Sequence, residues 1–226
     1  MKKYIFLFCL LSIILMPTAA QVKPTVAVLG DSYSTFEGFI PQGNEVWYHV
    51  PADLKRTDVT KVEQTWWWQV IKEGGYKKGM INSYSGATIC YTGYNDADYS
   101  ARSFITRATN LGNPDIILIC GATNDSWCGA PIGDYKYENW KRADLYTFRP
   151  AMAKLLNDIQ EYYPNVAVYF ILNSELREEI NASVLEICKH YQIPVIKLHD
   201  IDKISGHPSV KGMKSFAQQV LKVIKK

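Results

Sequence analysis

Thr25-Val26-Ala27-Val28-Leu29-Gly30-Asp31-Ser32 is a short apolar run that stops at a glycine and two small polar residues. A run this continuous suits a strand buried on both faces, because a strand with one wet face would alternate apolar and polar residues. Asp115 to Cys120, Val166 to Leu172 and Pro194 to Leu198 repeat the pattern, and Met80 to Ser83 is a weaker fifth case. Helical segments separate them, over Thr65 to Glu73, Tyr99 to Asn110, Leu145 to Tyr163, Glu175 to Tyr191 and Val210 to Lys225. The third places Met152, Leu155, Leu156 and Ile159 on one stripe, the spacing of a helix packed against a core. Strands alternating with helices, joined by right-handed crossovers, predict a three-layer α/β/α sandwich. Its mostly parallel five-stranded sheet is expected in the order 2-1-3-4-5.

The N-terminus reads Met1-Lys2-Lys3, an apolar run from Tyr4 to Met16, and Pro17-Thr18-Ala19-Ala20 before Gln21. Charged, apolar and small-residue regions in that order predict a signal peptide over 1–20, cleaved after Ala20, with a single domain over 21–226 and a secreted or periplasmic destination. Cys9 lies inside the apolar run, which argues against lipidation there. No later stretch is long and apolar enough to suggest an integral membrane span. The 226-residue chain carries a formal +3, and removing residues 1–20 takes away Lys2 and Lys3 and no acid, leaving +1. With its basic residues scattered, the chain lacks the stripe a nucleic-acid partner needs. Cys90, Cys120, Cys128 and Cys188 show no CxxC spacing or neighbouring histidines, so no metal site is expected.

In an open parallel sheet, ligands bind beyond the carboxyl ends of the strands. Ser32 follows the first strand, Gly86 the second and Asn124 the third, and His207 lies in the connection after the last. These types are complementary. A serine hydroxyl needs an adjacent base to become a nucleophile, a role open to His207. A side-chain amide and backbone N–H groups can receive the negative charge that develops on a carbonyl oxygen. Pro208 biases His207 toward an extended loop conformation. Each residue also has a plainer use: Ser32 as a helix cap or turn residue, Asn124 or Asp125 as a cap, and Gly86 as a turn.

Together, Val28-Leu29-Gly30-Asp31-Ser32-Tyr33, Asn82-Ser83-Tyr84-Ser85-Gly86, Gly121 to Asp125 and Gly206-His207-Pro208 make the chain resemble the SGNH branch of the GDSL-type serine hydrolases. The resemblance implies a flavodoxin-like SGNH hydrolase fold. It also implies a Ser32 nucleophile, a His207 base, and an oxyanion hole from Ser32 N–H, Gly86 N–H and the Asn124 amide. One position departs from the pattern: family members commonly carry an aspartate three residues before the histidine, where this chain has Ile204. Asp202 is the preferred substitute, with Asp200 and a backbone carbonyl as the alternatives.

A Gly-x-Ser-x-Gly elbow and a Gly-x-Gly-x-x-Gly phosphate turn are both absent, so catalysis without cofactors is expected. The long segment between Ser32 and Thr65 is assigned to the rim of the site. Trp47 and Trp127 are candidate substrate-binding residues, their rings suited to stacking on sugar. A small-molecule or glycan ester, with acetyl as the expected acyl group, is the expected substrate. A lipid ester, or a domain that binds glycans without turning them over, is the competing reading.

Overall fold

The computed structural model describes residues 22–225, and the expected signal segment and Cys9 lie outside the described residues. Five strands, β1 (Thr25–Gly30), β2 (Lys77–Ser83), β3 (Ile116–Gly121), β4 (Ala167–Leu172) and β5 (Val195–Lys197), form one sheet in the order β2-β1-β3-β4-β5. Every pairing in it is parallel. The alternation along β1 shows why the run has no polar face. Ala27 and Leu29 pack into a core on one side with Ile117, Ile119, Phe170 and Leu172. Val26 and Val28 pack on the other with Leu118, Cys120 and Ile171. The three-layer α/β/α sandwich and its strand order are as the sequence predicts.

The helices are α1 (Trp66–Gly74), α2 (Phe104–Arg107), α3 (Thr123–Trp127), α4 (Phe148–Tyr162), α5 (Glu178–His190) and α6 (Val210–Ile224). Helices α1 and α6 cover one face, where Trp66 and Phe216 stack at 4.5 Å with their planes 4° apart. Trp66 and Trp67 are fully buried, so both are core residues. Pro150 falls in the first turn of α4, where a missing N–H costs nothing.

Several boundaries differ from the sequence reading for local reasons. β2 begins at Lys77 because Lys77 and Lys78 lie on an exposed sheet edge, which carries no apolar signal. The helix expected over Tyr99 to Asn110 shrinks to α2, preceded by a 3-10 turn over Ser100–Arg102. Ser103 breaks it: its side chain accepts from Thr106 N–H and restarts the chain as a new helix. α5 starts three residues late because Glu175 has φ +63, outside helical conformation.

After β5 the chain forms a second, two-stranded ladder absent from the sequence reading. β6 (Lys203–Ile204) runs antiparallel to β7 (His207–Pro208), pairing Ile204 with His207. Ser205 and Gly206, at φ +49 and +76, form the connection. Positive φ at both central residues is the mark of a type I′ turn, whose twist matches that of paired strands.

Candidate active site

Ser32 leaves β1 through a crowded turn. A Cβ on Gly30 would lie 2.7 Å from the Ser34 and Ser83 side chains, so the turn admits only glycine there. Asp31 then accepts from Tyr33 N–H at 3.0 Å and fixes the 3-10 turn Ser32–Ser34 that presents the serine. Arg107 ties the neighbouring strand ends together, donating to Gly30 O at 3.1 Å and Asn82 O at 2.6 Å. Burial lowers the guanidinium pKa to about 9 and raises that of Asp31 to about 7.

His207 reaches Ser32 from the hairpin. Its Nε2 lies 2.9 Å from Ser32 Oγ and its Nδ1 lies 3.0 Å from Ser205 O. A carbonyl oxygen can only accept, so the second contact requires the proton on Nδ1. Nε2 is then a free lone pair facing the serine hydroxyl. Burial, chiefly, pushes the imidazole down to about 4, and it is neutral at pH 7. Hydroxyls from the first part of the chain fasten the turn: Tyr33 donates to Gly206 O at 2.7 Å and Tyr48 to Pro208 O at 3.1 Å. Asn173 supports Tyr33 by donating to its hydroxyl at 3.2 Å.

Asp202 does not meet His207, which corrects the expectation that it orients the imidazole. Its carboxylate accepts from Ser209 Oγ, and its carbonyl accepts from Ser209 N–H at 3.0 Å. Ser209 in turn caps α6 by accepting from Gly212 N–H. Asp200 contacts His199 Nδ1 at 2.9 Å on the surface. The cause is the hairpin. With Ile204 directly across the ladder from His207, the two-residue turn brings the Ser205 carbonyl under the ring, and no acid occupies that place.

Gly86 stands at φ +79, a conformation that favours glycine. Asn124 follows β3 in the first turn of α3, just after Ala122, which itself has φ +73. Its Nδ2 donates to Ala87 O at 3.0 Å, which leaves the second amide proton unused. Tyr94 donates to Asn124 Oδ1 at 2.9 Å, so the amide is held with its nitrogen and oxygen assigned. Burial pushes the Tyr94 hydroxyl up to about 12, and it remains a donor. The adjacent Asp125 accepts from Ile89 and Cys90 N–H groups and so ties the segment after Gly86 to α3. Among the described residues, neither Ser32 N–H nor Gly86 N–H donates to a protein acceptor.

Ser32, Gly86, Asn124 and His207 border one open cleft of about 170 Å³, walled by Trp47, Tyr94 and Trp127. Trp127 is 43% exposed and meets the His207 ring edge-on at 5.9 Å. Trp47 has a different place from the one expected of a sugar platform. Its indole stacks on His207 at 3.4 Å with planes 11° apart, and the Arg56 guanidinium lies 4.0 Å from the same ring. Two planar groups that close to one ring take opposite faces, so Trp47 has no face left for a sugar. Sequence reasoning left a backbone carbonyl open as the partner of His207 without naming Ser205, and it did not find the hydrogen bonds of Tyr48 and Tyr94. Tyr94 could have been suspected from its place in the loop between Gly86 and Asn124. A backbone carbonyl such as that of Ser205 leaves no signal in sequence.

A family model for the GDSL-like lipase/acylhydrolase matches residues 24–224. Among solved structures, a protein of Bacteroides ovatus ATCC 8483 classed as a GDSL-like lipase is 59% identical, with a TM-score of 0.89, covering 91% of this chain and 99% of that one. A second, from Bacteroides uniformis ATCC 8492, is 56% identical at the same TM-score and covers 91% and 97%. A family two carbohydrate esterase from Clostridium thermocellum, in complex with cellohexaose, shares the fold at 14% identity and a TM-score of 0.60, covering 92% and 65%. No curated protein matches the chain.

Proposed function

Because this chain belongs to the GDSL-like lipase/acylhydrolase family and is therefore an ester-bond hydrolase, we propose that it cleaves short acyl esters on carbohydrate through an acyl-enzyme on Ser32. The observation that carries the reading is the relay Ser32 Oγ to His207 Nε2 and His207 Nδ1 to Ser205 O, with a neutral imidazole. His207 takes the hydroxyl proton as Ser32 Oγ attacks the ester carbon. Ser32 N–H, Gly86 N–H and the unused Asn124 amide proton receive the charge on the carbonyl oxygen. Loss of one such donor typically costs ~10²- to 10³-fold in turnover. Collapse of the tetrahedral intermediate expels the sugar alkoxide, which takes the proton back from His207. Water, deprotonated by the same imidazole, then releases the acid and restores Ser32.

Two features support the substrate class. A cleft of about 170 Å³ gives little room for a long acyl chain and favours acetyl. The exposed Trp127 beside it offers an aromatic surface to a sugar ring. Solved carbohydrate esterases with this fold make the same class reasonable. The signal reading of residues 1–20 makes the proposed substrate extracellular or periplasmic. Among the described residues, no helix is long and apolar enough to cross a membrane.

The test is acetate release from an activated acetyl ester and from acetylated oligosaccharides, with Ser32→Ala measured beside the wild type. Release that vanishes in the variant is expected. Release that persists in Ser32→Ala overturns the acyl-enzyme, and activity confined to long-chain esters overturns the acetyl assignment.

A further inference from the structure

Arg56 is poorly explained by the fold. It sits on an exposed turn, held by backbone bonds from Arg56 and Thr57 to Asp53 O. Its guanidinium nevertheless lies 4.0 Å from the Trp47 ring, which fixes it in place beside the cleft. Among the described residues it makes no ion pair and no side-chain hydrogen bond, a state it shares with Arg102, which lies over Tyr99 away from the cleft-bordering Trp47, whereas Arg107, Arg142, Arg149 and Arg177 each make at least one. A planar fork of donors, pre-positioned by stacking and left unsatisfied, is suited to binding a carboxylate or sulfate in bidentate fashion.

The surroundings agree. Two charged groups act on His207, Arg56 and Lys203, and both are cations. Lys203 is already paired with Glu175 at 2.8 Å, so Arg56 is the free one. Trp47 stands between Arg56 and the imidazole, one ring thickness to either side. An anion held by Arg56 would therefore belong to a neighbouring part of the substrate, outside the small cleft that takes the ester.

Building on the esterase reading, we propose that the natural substrate is an acylated glycan carrying an anionic group, carboxylate or sulfate, next to the esterified sugar, and that Arg56 binds that group. Arg56 is thus a specificity-determining residue, outside the bond-making steps.

Three probes separate the possibilities: an acetylated oligosaccharide bearing a uronate, the same compound with its carboxyl reduced to an alcohol, and a sulfated derivative of the reduced compound. The wild type is expected to favour an anionic probe over the neutral one by about five- to tenfold in kcat/KM, the range for a partly exposed charge-assisted contact. High salt reduces that ratio. Arg56→Gln brings it close to one, whereas Arg56→Lys keeps part of it. Preference for the uronate identifies carboxylate as the ligand, and preference for the sulfated probe identifies sulfate. Equal rates on charged and neutral probes by the wild type overturn the proposal. So does an Arg56→Gln variant slowed equally on all three, since that would reduce Arg56 to a prop for Trp47. Calorimetric binding of the intact probes to Ser32→Ala separates this proposal from the esterase reading. If the wild type hydrolyses nothing, tighter binding of the anionic probes still supports Arg56, and equal affinities still overturn it.

Discussion

Lowering the pH should expose how dry the His207 ring is. In the folded protein the imidazole sits at about 4, against 6.5 for the free side chain, with burial as the main cause. A depressed folded value means the unfolded chain takes up its proton first. The contribution to stability is whole above about 6.5 and is lost as the pH falls toward about 4, where both states become protonated. The difference corresponds to about 3 kcal/mol, of which about 2 kcal/mol has gone by pH 5. Asp31 works in the opposite direction, because its folded value is raised from 3.8 to about 7 and the folded state takes that proton first. Urea unfolding of wild type and His207→Gln at pH 7.5 and 5.0 separates the two. The variant should lose about 2 kcal/mol less than the wild type over that interval. In the wild type the acid limb of kcat/KM on an activated ester should fall at about 4, not in the usual histidine range. A limb near 6.5 or above would refute the reasoning. It would mean that the ring is solvated, or that a carboxylate partner holds the imidazolium charge.

The Asp202 carboxylate is bound to the cap of α6, so Asp202→Ala should cost about 1 to 2 kcal/mol in thermal or urea unfolding. It should lower kcat by less than about tenfold, far short of the ~10⁴-fold reported for losing the acid of a true triad; a loss of that size would restore Asp202 to the relay. Tyr94→Phe frees the Asn124 amide to rotate and is expected to lower kcat about tenfold with little change in KM, while a larger KM effect would make Tyr94 a substrate contact. Trp127→Ala should raise KM for acetylated oligosaccharides several-fold and leave a small activated ester nearly unaffected; equal effects on both would remove the sugar-stacking role.

The sheet could be read because buried parallel strands leave dense apolar runs, and the gaps between them were helical in pattern. Where burial was one-sided the reading weakened, as at Lys77 and Lys78 on the sheet edge. The convergence of Ser32, Gly86, Asn124 and His207 followed from strand order alone, since their blocks leave the same edge of the sheet. What supports them did not follow. The hairpin that carries His207 is two residues per strand, too short for any periodic signal, and only the Ser205-Gly206 pair hinted at a turn. The imidazole's second partner is a main-chain carbonyl, a group every residue possesses. Trp47 was legible as an aromatic near the site, but its stacking on His207 depends on how the long loop after Ser32 folds back.

Ser32 and His207 stand 175 positions apart, and the hydroxyls that pin the histidine turn come from Tyr33 and Tyr48, near the other end of the fold. The chain must therefore close a loop of 175 positions before the reacting pair exists, and contacts of such separation are costly and slow to form. During refolding, ester cleavage should return later than the spectroscopic signal of the sheet. Enzyme turnover would then report the final seating of the C-terminal segment, making catalysis a clock for the last event of folding.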